Sequence, residues 1–162
     1  MGISSNQNAI DPRPVVKTIQ VTVSGLSTAS PGYTAGDQMG GELVFTNALR
    51  GTGAGTIATA TLVDRSNIIG AVDMYLFSRS VTPIADNSPT NFSDADMQYF
   101  VGTVSFPPPV AFVNNRVATV PAIGLAVQVP GTTLYAYLAT LTSHTFFSAA
   151  NDITINLVVH QY

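Results

Sequence analysis

Apolar and polar residues alternate along most of this chain, the period of a β-strand with one buried face. From Val15 to Ser24, Ile19, Val21 and Val23 take turns with Thr18, Gln20 and Thr22. Gly41 to Leu49 sets Leu43 and Phe45 against Glu42, Val44 and Thr46. Val72 to Arg79 opposes Val72, Met74 and Leu76 to Asp73, Tyr75 and Phe77. Leu134 to Leu141 opposes Leu134, Ala136 and Leu138 to Tyr135, Tyr137 and Ala139. The clearest run is Ile153 to His160, with Ile153, Ile155, Leu157 and Val159 predicted inward and Thr154, Asn156 and His160 outward. Thr56 to Asp64, rich in Thr and Ala, and the shorter Val101 to Phe106 and Arg116 to Val120 complete the set.

Turn formers separate these runs: Ser30-Pro31-Gly32, Gly36-Asp37, Gly40-Gly41, Gly51-Thr52-Gly53, Pro130-Gly131 and Asn151-Asp152. Short strands punctuated in this way predict an all-β chain, a single antiparallel β-sandwich of jelly-roll type. Only Ser93 to Phe100 reads as a helix, with Ser93 as its N-cap and Asp94 and Asp96 at its positive end. Pro107-Pro108-Pro109 predicts a stiff extended strap, and Val81 to Phe92 a long loop open to contacts. Residues 1–14 are polar, place Pro12 and Pro14 around Arg13, and lack periodicity. They are read as an extended N-terminal arm, with residues 15–162 forming the sandwich domain.

Composition turns attention from chemistry to assembly. Only 9% of the 162 residues are charged, with Lys17 and Glu42 the sole representatives of their types, while 46% are hydrophobic. A free-standing domain spends about a quarter of its residues on charge. A near-neutral surface promotes association, so much of the exterior is expected to be covered by other subunits. The net charge of −3 and the absence of any basic run argue against nucleic acid, whose binding needs Lys and Arg to displace counterions. Without Cys there is no disulfide framework and no thiolate metal site. Met1 to Asn8 lacks the basic and apolar regions of a signal peptide. A myristoylation signal would need a hydroxyl where Asn6 stands. No apolar run nears the ~20 residues that span a bilayer, so no membrane partner is expected.

Candidate chemistry is sparse. His144 and His160 are the only imidazoles, and no Gly-x-Ser-x-Gly elbow accompanies them. Gly51-Thr52-Gly53-Ala54-Gly55 looks like a phosphate loop but lacks the Lys and leads into a strand, so it reads as a hairpin connection. Asp86, Asn87, Asp94 and Asp96 offer oxygen ligands, but without the spacing, central Gly or terminal Glu of a Ca²⁺ loop. Asp37, Asp64 and Asp73 are expected to pair with Arg50, Arg65 and Arg79. Tyr135 and Tyr137 read as packing or a subunit contact, and the lack of Trp weighs against a stacked glycan face. No catalytic, cofactor-binding or metal-ligating residue is assigned, and the chain is not expected to be an enzyme.

Tyr33-Thr34-Ala35-Gly36-Asp37-Gln38-Met39-Gly40-Gly41, with Phe45 to Arg50 and Gly53-Ala54-Gly55, resembles small structural proteins encoded beside capsid genes in tailed bacteriophages. Asp94-Ala95-Asp96, Gly102-Thr103-Val104 and Leu134-Tyr135-Ala136 extend the resemblance, which leaves out the first 14 residues. It implies a decoration or cement protein on the capsid exterior, often trimeric, whose partners are the major capsid protein and sister subunits. It brings no catalytic residues. A tail or neck subunit shares the same chemistry. The rivals from other classes are a receptor- or glycan-binding fibre or adhesin module, and a small hydrolase or Ca²⁺-dependent enzyme using His144, His160 or Asp94.

Overall fold

A computed structural model describes residues 14–51 and 53–162. Apart from Pro14, the expected arm lies outside the described residues. In chain order the elements are β1 (Val15–Thr22), β2 (Gln38–Phe45), β3 (Ala54–Asp64), β4 (Val72–Phe77), α1 (Asp94–Met97), β5 (Phe100–Phe106), β6 (Val110–Ala111), β7 (Arg116–Val120), β8 (Leu125–Gln128), β9 (Leu134–Thr140) and β10 (Ile153–Gln161).

The strands form two antiparallel sheets. One has the order β1-β10-β3-β7-β6 with β8 also on β3, and the other has the order β2-β9-β4-β5. Setting the short β6 and β8 aside, the pairing is nested: β1 with β10, β2 with β9, β3 with β7, β4 with β5. Successive pairs fall in alternate sheets. A chain doubled back on itself and rolled in this way is a jelly roll, the architecture the strand pattern predicts.

Inward residues of both sheets meet in one core. Ile19, Ile57, Leu62, Ile155 and Leu157 come from the first sheet, and Leu43, Phe45, Met74, Leu76, Phe106 and Leu138 from the second. Each such side chain stabilises the fold by about 1.5–3 kcal/mol of removed apolar surface. The alternation fails to show in Thr56 to Asp64 because β3 carries a bulge. Val158 faces Thr59 but Val159 faces Ile57, leaving Ala58 unpaired in the ladder. Burial therefore moves from odd positions (Gly55, Ile57) to even ones (Ala60, Leu62, Asp64). The freed Ala58 carbonyl accepts from Ile123 N–H at 2.9 Å. There the chain turns from β7, ending on Ala60, to β8, starting on Ile57.

Three local expectations change. The helix is a single turn, Asp94–Met97, with Ser93 as its N-cap; Phe100 already pairs with Phe77 in β5. The triple proline carries the chain from β5 in one sheet to β6 in the other, so its stiffness serves a crossing. Gly51 to Gly55 is likewise no hairpin connection, because β2 and β3 lie in different sheets. At this crossing Gly53 has φ +71°, donates to Arg50 O at 2.8 Å and accepts from Val129 N–H at 2.9 Å. A Cβ on Gly53 would overlap the Val129 carbonyl, whereas one on Gly51 meets open space. Gly53→Ala should therefore cost about 1–3 kcal/mol through left-handed strain and a displaced β8 end. Gly51→Ala should be close to neutral, and thermal unfolding of both variants checks the contrast.

Candidate functional site

The sequence-predicted chemistry is dispersed. His160 lies half-buried on β10 opposite Val16, whereas His144 lies in the β9–β10 connection and forms an isolated bridge with Tyr33. Asp86 and Asp96, grouped in sequence, serve separate structural roles. Asp86 accepts from Tyr33 Oη at 2.7 and 2.9 Å and from Gly40 N–H at 2.5 Å. Asp96 accepts from Ser93 Oγ at 2.7 Å and Thr82 N–H at 3.1 Å. Hydrogen bonds from Ser93 first and Thr82 next hold the Asp96 carboxyl below the usual carboxylate range. Among the described residues no group of three His, Cys, Asp or Glu converges as a metal site.

At Asp64 and Asp37 backbone amides take the place of the expected arginine, while Asp73 accepts from Tyr75 Oη at 3.5 Å. Fully buried Asp64 accepts from the N–H groups of Ser66, Ile68 and Ile69 at 2.8–3.0 Å, closing the β3–β4 crossing. Asp37 accepts from Thr34 N–H at 2.7 Å. Arg79 lies 4.2 Å from the centroid of the Tyr99 ring, a cation–π contact. Arg116, which the pairing scheme left out, donates to Asn67 Oδ1 and Ile69 O at 2.9 and 2.8 Å.

At one end of the sandwich, Tyr33, His144 and Phe147 form an aromatic cluster. The Tyr33 and His144 rings stack at 4.8 Å, and Phe147 meets both edge-on. Burial first, and then Asp86, push the Tyr33 phenol well above its ordinary range. His144 Nδ1 bonds Thr145 O at 2.7 Å, and its Nε2 is buried without a partner among the described residues. Such a ring is a packing element, with no nucleophile aligned to it.

A second cluster covers the outer face of the β2-β9-β4-β5 sheet. Phe77 and Tyr137, on the strand face opposite the main core, are buried because the segment from Val81 to Tyr99 folds over them, which makes Tyr137 a packing residue. Phe92 packs on Tyr75, Phe77 and Tyr137 with centroids 4.8–5.7 Å apart. Burial, and then Glu42, push the Tyr137 phenol up to about 12. The long loop is thus a cover for this sheet. Beside it, Ser78 and Arg79 face the loop from Pro130 to Thr133 across a cleft of about 390 Å³ that also includes Tyr135.

The β6–β7 hairpin concentrates exposed apolar side chains. Val110, Phe112 and Val113 are 65%, 58% and 92% exposed, and Pro107 and Pro108 are exposed beside them. From Pro107 to Asn115 no residue is charged. Sequence reading missed this hairpin because a two-residue strand has no periodicity. The triple proline beside an unalternated Val-Ala-Phe-Val run was its only signal. No helix among the described residues is long and apolar enough to cross a membrane.

No protein-family model matches the chain, and no curated protein matches it. Among solved structures, it is similar to the K3 cleaved adhesin domain of Lys-gingipain from Porphyromonas gingivalis (17% identity, TM-score 0.26, covering 74% of this chain and 63% of that one). It is also similar to a chain of the Israeli acute paralysis virus particle (14% identity, TM-score 0.31, 91% and 70% covered). A chain of the Kashmir bee virus virion matches at 10% identity and TM-score 0.26, with 99% and 78% covered. Likeness at this level adds nothing to what the strand order already states.

The half-buried His144 imidazole sets a pH dependence. Desolvation lowers the affinity of His144 for a proton, outweighing the Thr145 carbonyl and the Asp64 charge that act the other way; the Tyr33 and Phe147 rings packed on it add no charge. The unfolded chain takes up that proton as the pH falls through about 6.5, and the folded chain does so only at lower pH. The unfolded state then binds more protons, so stability is lost on acidification through this window. The lowered carboxyls of Asp96 and Asp152 act separately, below the ordinary aspartate range. Melting temperature measured from pH 8 to 5 should fall more steeply below about 6.5 in the native chain than in His144→Phe. Parallel slopes would show that His144 does not carry the effect.

Proposed function

We propose that this chain is a virion structural subunit, a head decoration or cement protein on the capsid exterior. It binds the major capsid protein and sister subunits, as a trimer, and works mechanically: burial of charge-poor apolar surface adds to shell stability. The observation that carries the reading is the uncharged β6–β7 tip, with Val110, Phe112 and Val113 exposed on a jelly roll whose overall charge is only 9% of residues. Fold alone does not specify function; the support comes from this surface. A contiguous exposed apolar patch marks an interaction site, and permanent interfaces resemble a domain core cut in half.

Quantitative mass spectrometry of purified particles, with the major capsid protein as internal standard, tests the reading. A copy number comparable to the capsid protein is expected for cement on the head lattice. A few to a few dozen copies would move the chain to the tail or neck, and absence from the particle would sink the virion reading. Phe112→Ser together with Val113→Asp should leave the melting temperature nearly unchanged, because both side chains are exposed. Occupancy on particles should fall about tenfold or more, the loss expected when a central apolar anchor of an interface is removed. Unchanged occupancy would remove the tip from the interface.

A further inference from the structure

We propose that the cleft between the Ser78–Arg79 corner and the loop from Pro130 to Thr133 is a binding site for a carboxylate-bearing monosaccharide unit, such as a uronic or sialic acid residue. The inference stands apart from the shell reading, and either can fail alone. Its starting point is Arg79. Lys17, Arg65 and Arg116 donate to carbonyl or amide oxygens of this chain. Arg50 and Arg79 donate to none among the described residues, and of these two Arg79 lines the cleft. Instead its guanidinium lies over the Tyr99 ring at 4.2 Å. A stack of this kind holds the guanidinium by one face and leaves its edge of N–H donors in the plane. That edge is a two-pronged match for a planar carboxylate.

The rest of the cleft suits a sugar ring. Ser78 Oγ donates to Tyr99 O at 3.2 Å and keeps its lone pairs as acceptors. Thr132 and Thr133 add two hydroxyls that both donate and accept. Half-buried Tyr135 offers an aromatic face and a phenol. No carboxylate lines the cleft, so an anion meets no repulsion there. The volume of about 390 Å³ lies at the lower end of small-ligand sites and fits a single substituted hexose. A lone guanidinium with hydroxyls is a poor cradle for a phosphate, which prefers several cations or a helix N-terminus. Polar walls likewise disfavour a lipid tail. The cleft's framework is fixed: Ser78 N–H bonds Tyr99 O at 2.8 Å, and Leu49 N–H bonds Thr132 O at 3.0 Å.

Saturation-transfer NMR and calorimetry on the full chain test this, with glucuronic acid and N-acetylneuraminic acid as probes and glucose and N-acetylglucosamine as neutral controls. Millimolar binding of an acidic sugar is expected, at least tenfold tighter than its neutral counterpart. Arg79→Gln should abolish that preference without lowering the melting temperature, because the side chain is exposed. Arg79→Lys should weaken binding while keeping the sign of the preference, and Thr133→Val should weaken acidic and neutral sugars alike. Equal binding of acidic and neutral sugars, or an unchanged Arg79→Gln variant, would overturn the proposal. So would acetate, phosphate or a peptide C-terminus binding as tightly as the sugar, which would mark a plain anion site. No binding of either acid at 10-fold molar excess over the expected millimolar range would overturn it outright.

Discussion

The last strand of this chain has to reach the first before either sheet can close. β10 hydrogen-bonds to β1 over eight residue pairs and to β3 over nine, so both of its edges are used. Its inward residues Ile153, Ile155, Leu157 and Val159 are fully buried against the opposite sheet. At the end of the ladder, Gln161 reaches across to the β2–β3 crossing, where Nε2 donates to the carbonyls of Asn47 and Ala48 at 3.1 and 2.9 Å. The nested pairs inside the roll depend on this closure, since the β2-β9-β4-β5 sheet can enclose a filled core only once β1, β10 and β3 supply the opposite wall. The cost is kinetic: pairing residues so distant in sequence makes folding slow.

Three carboxylates hold loops in place through backbone amides. Asp64, with three amides to satisfy it, sits at the β3–β4 crossing. Asp86 ties Tyr33 to the start of the Gly40–Gly41 bulge, where Gly41 N–H reaches Ser24 O at 2.9 Å. Asp152 accepts from Ala149 N–H at 2.7 Å and from Ser66 Oγ, pinning the entry to β10. A buried carboxylate surrounded by N–H and O–H donors needs no arginine. That leaves Arg79 available and makes the low charge count compatible with a well-satisfied fold.

The surface divides the same molecule in two. One wall of the roll, the β2-β9-β4-β5 sheet, is roofed by its own loop and aromatic cluster. The hairpin at the edge of the other sheet is left bare and apolar. A long loop covers one sheet, while Phe112 and Val113 stay exposed at the edge of the other. The cleft beside Arg79 adds a polar feature of a different kind, at the border of the roofed face.

Strand-period alternation is a local property of side-chain order, so most of the jelly roll was legible in the sequence. Ile19, Leu43, Met74, Leu138 and Ile155 declare their buried faces without reference to any partner. The N-cap at Ser93 was legible for the same reason: a hydroxyl and the amide three residues on lie within reach in any chain. What only the tertiary structure decided were relations between distant residues. The bulge at Ala58 reverses the parity of β3, and the partner of Asp64 is a loop of amides where charge pairing pointed to an arginine. Phe77 and Tyr137 are outward by parity yet buried, because a segment elsewhere folds over them. The exposed apolar surface followed the same rule. A low charge count names no place, and only the crossing from β5 to β6 set Val110 to Val113 at an open edge. Periodicity records which face of a strand is apolar; it holds no record of what comes to lie on that face.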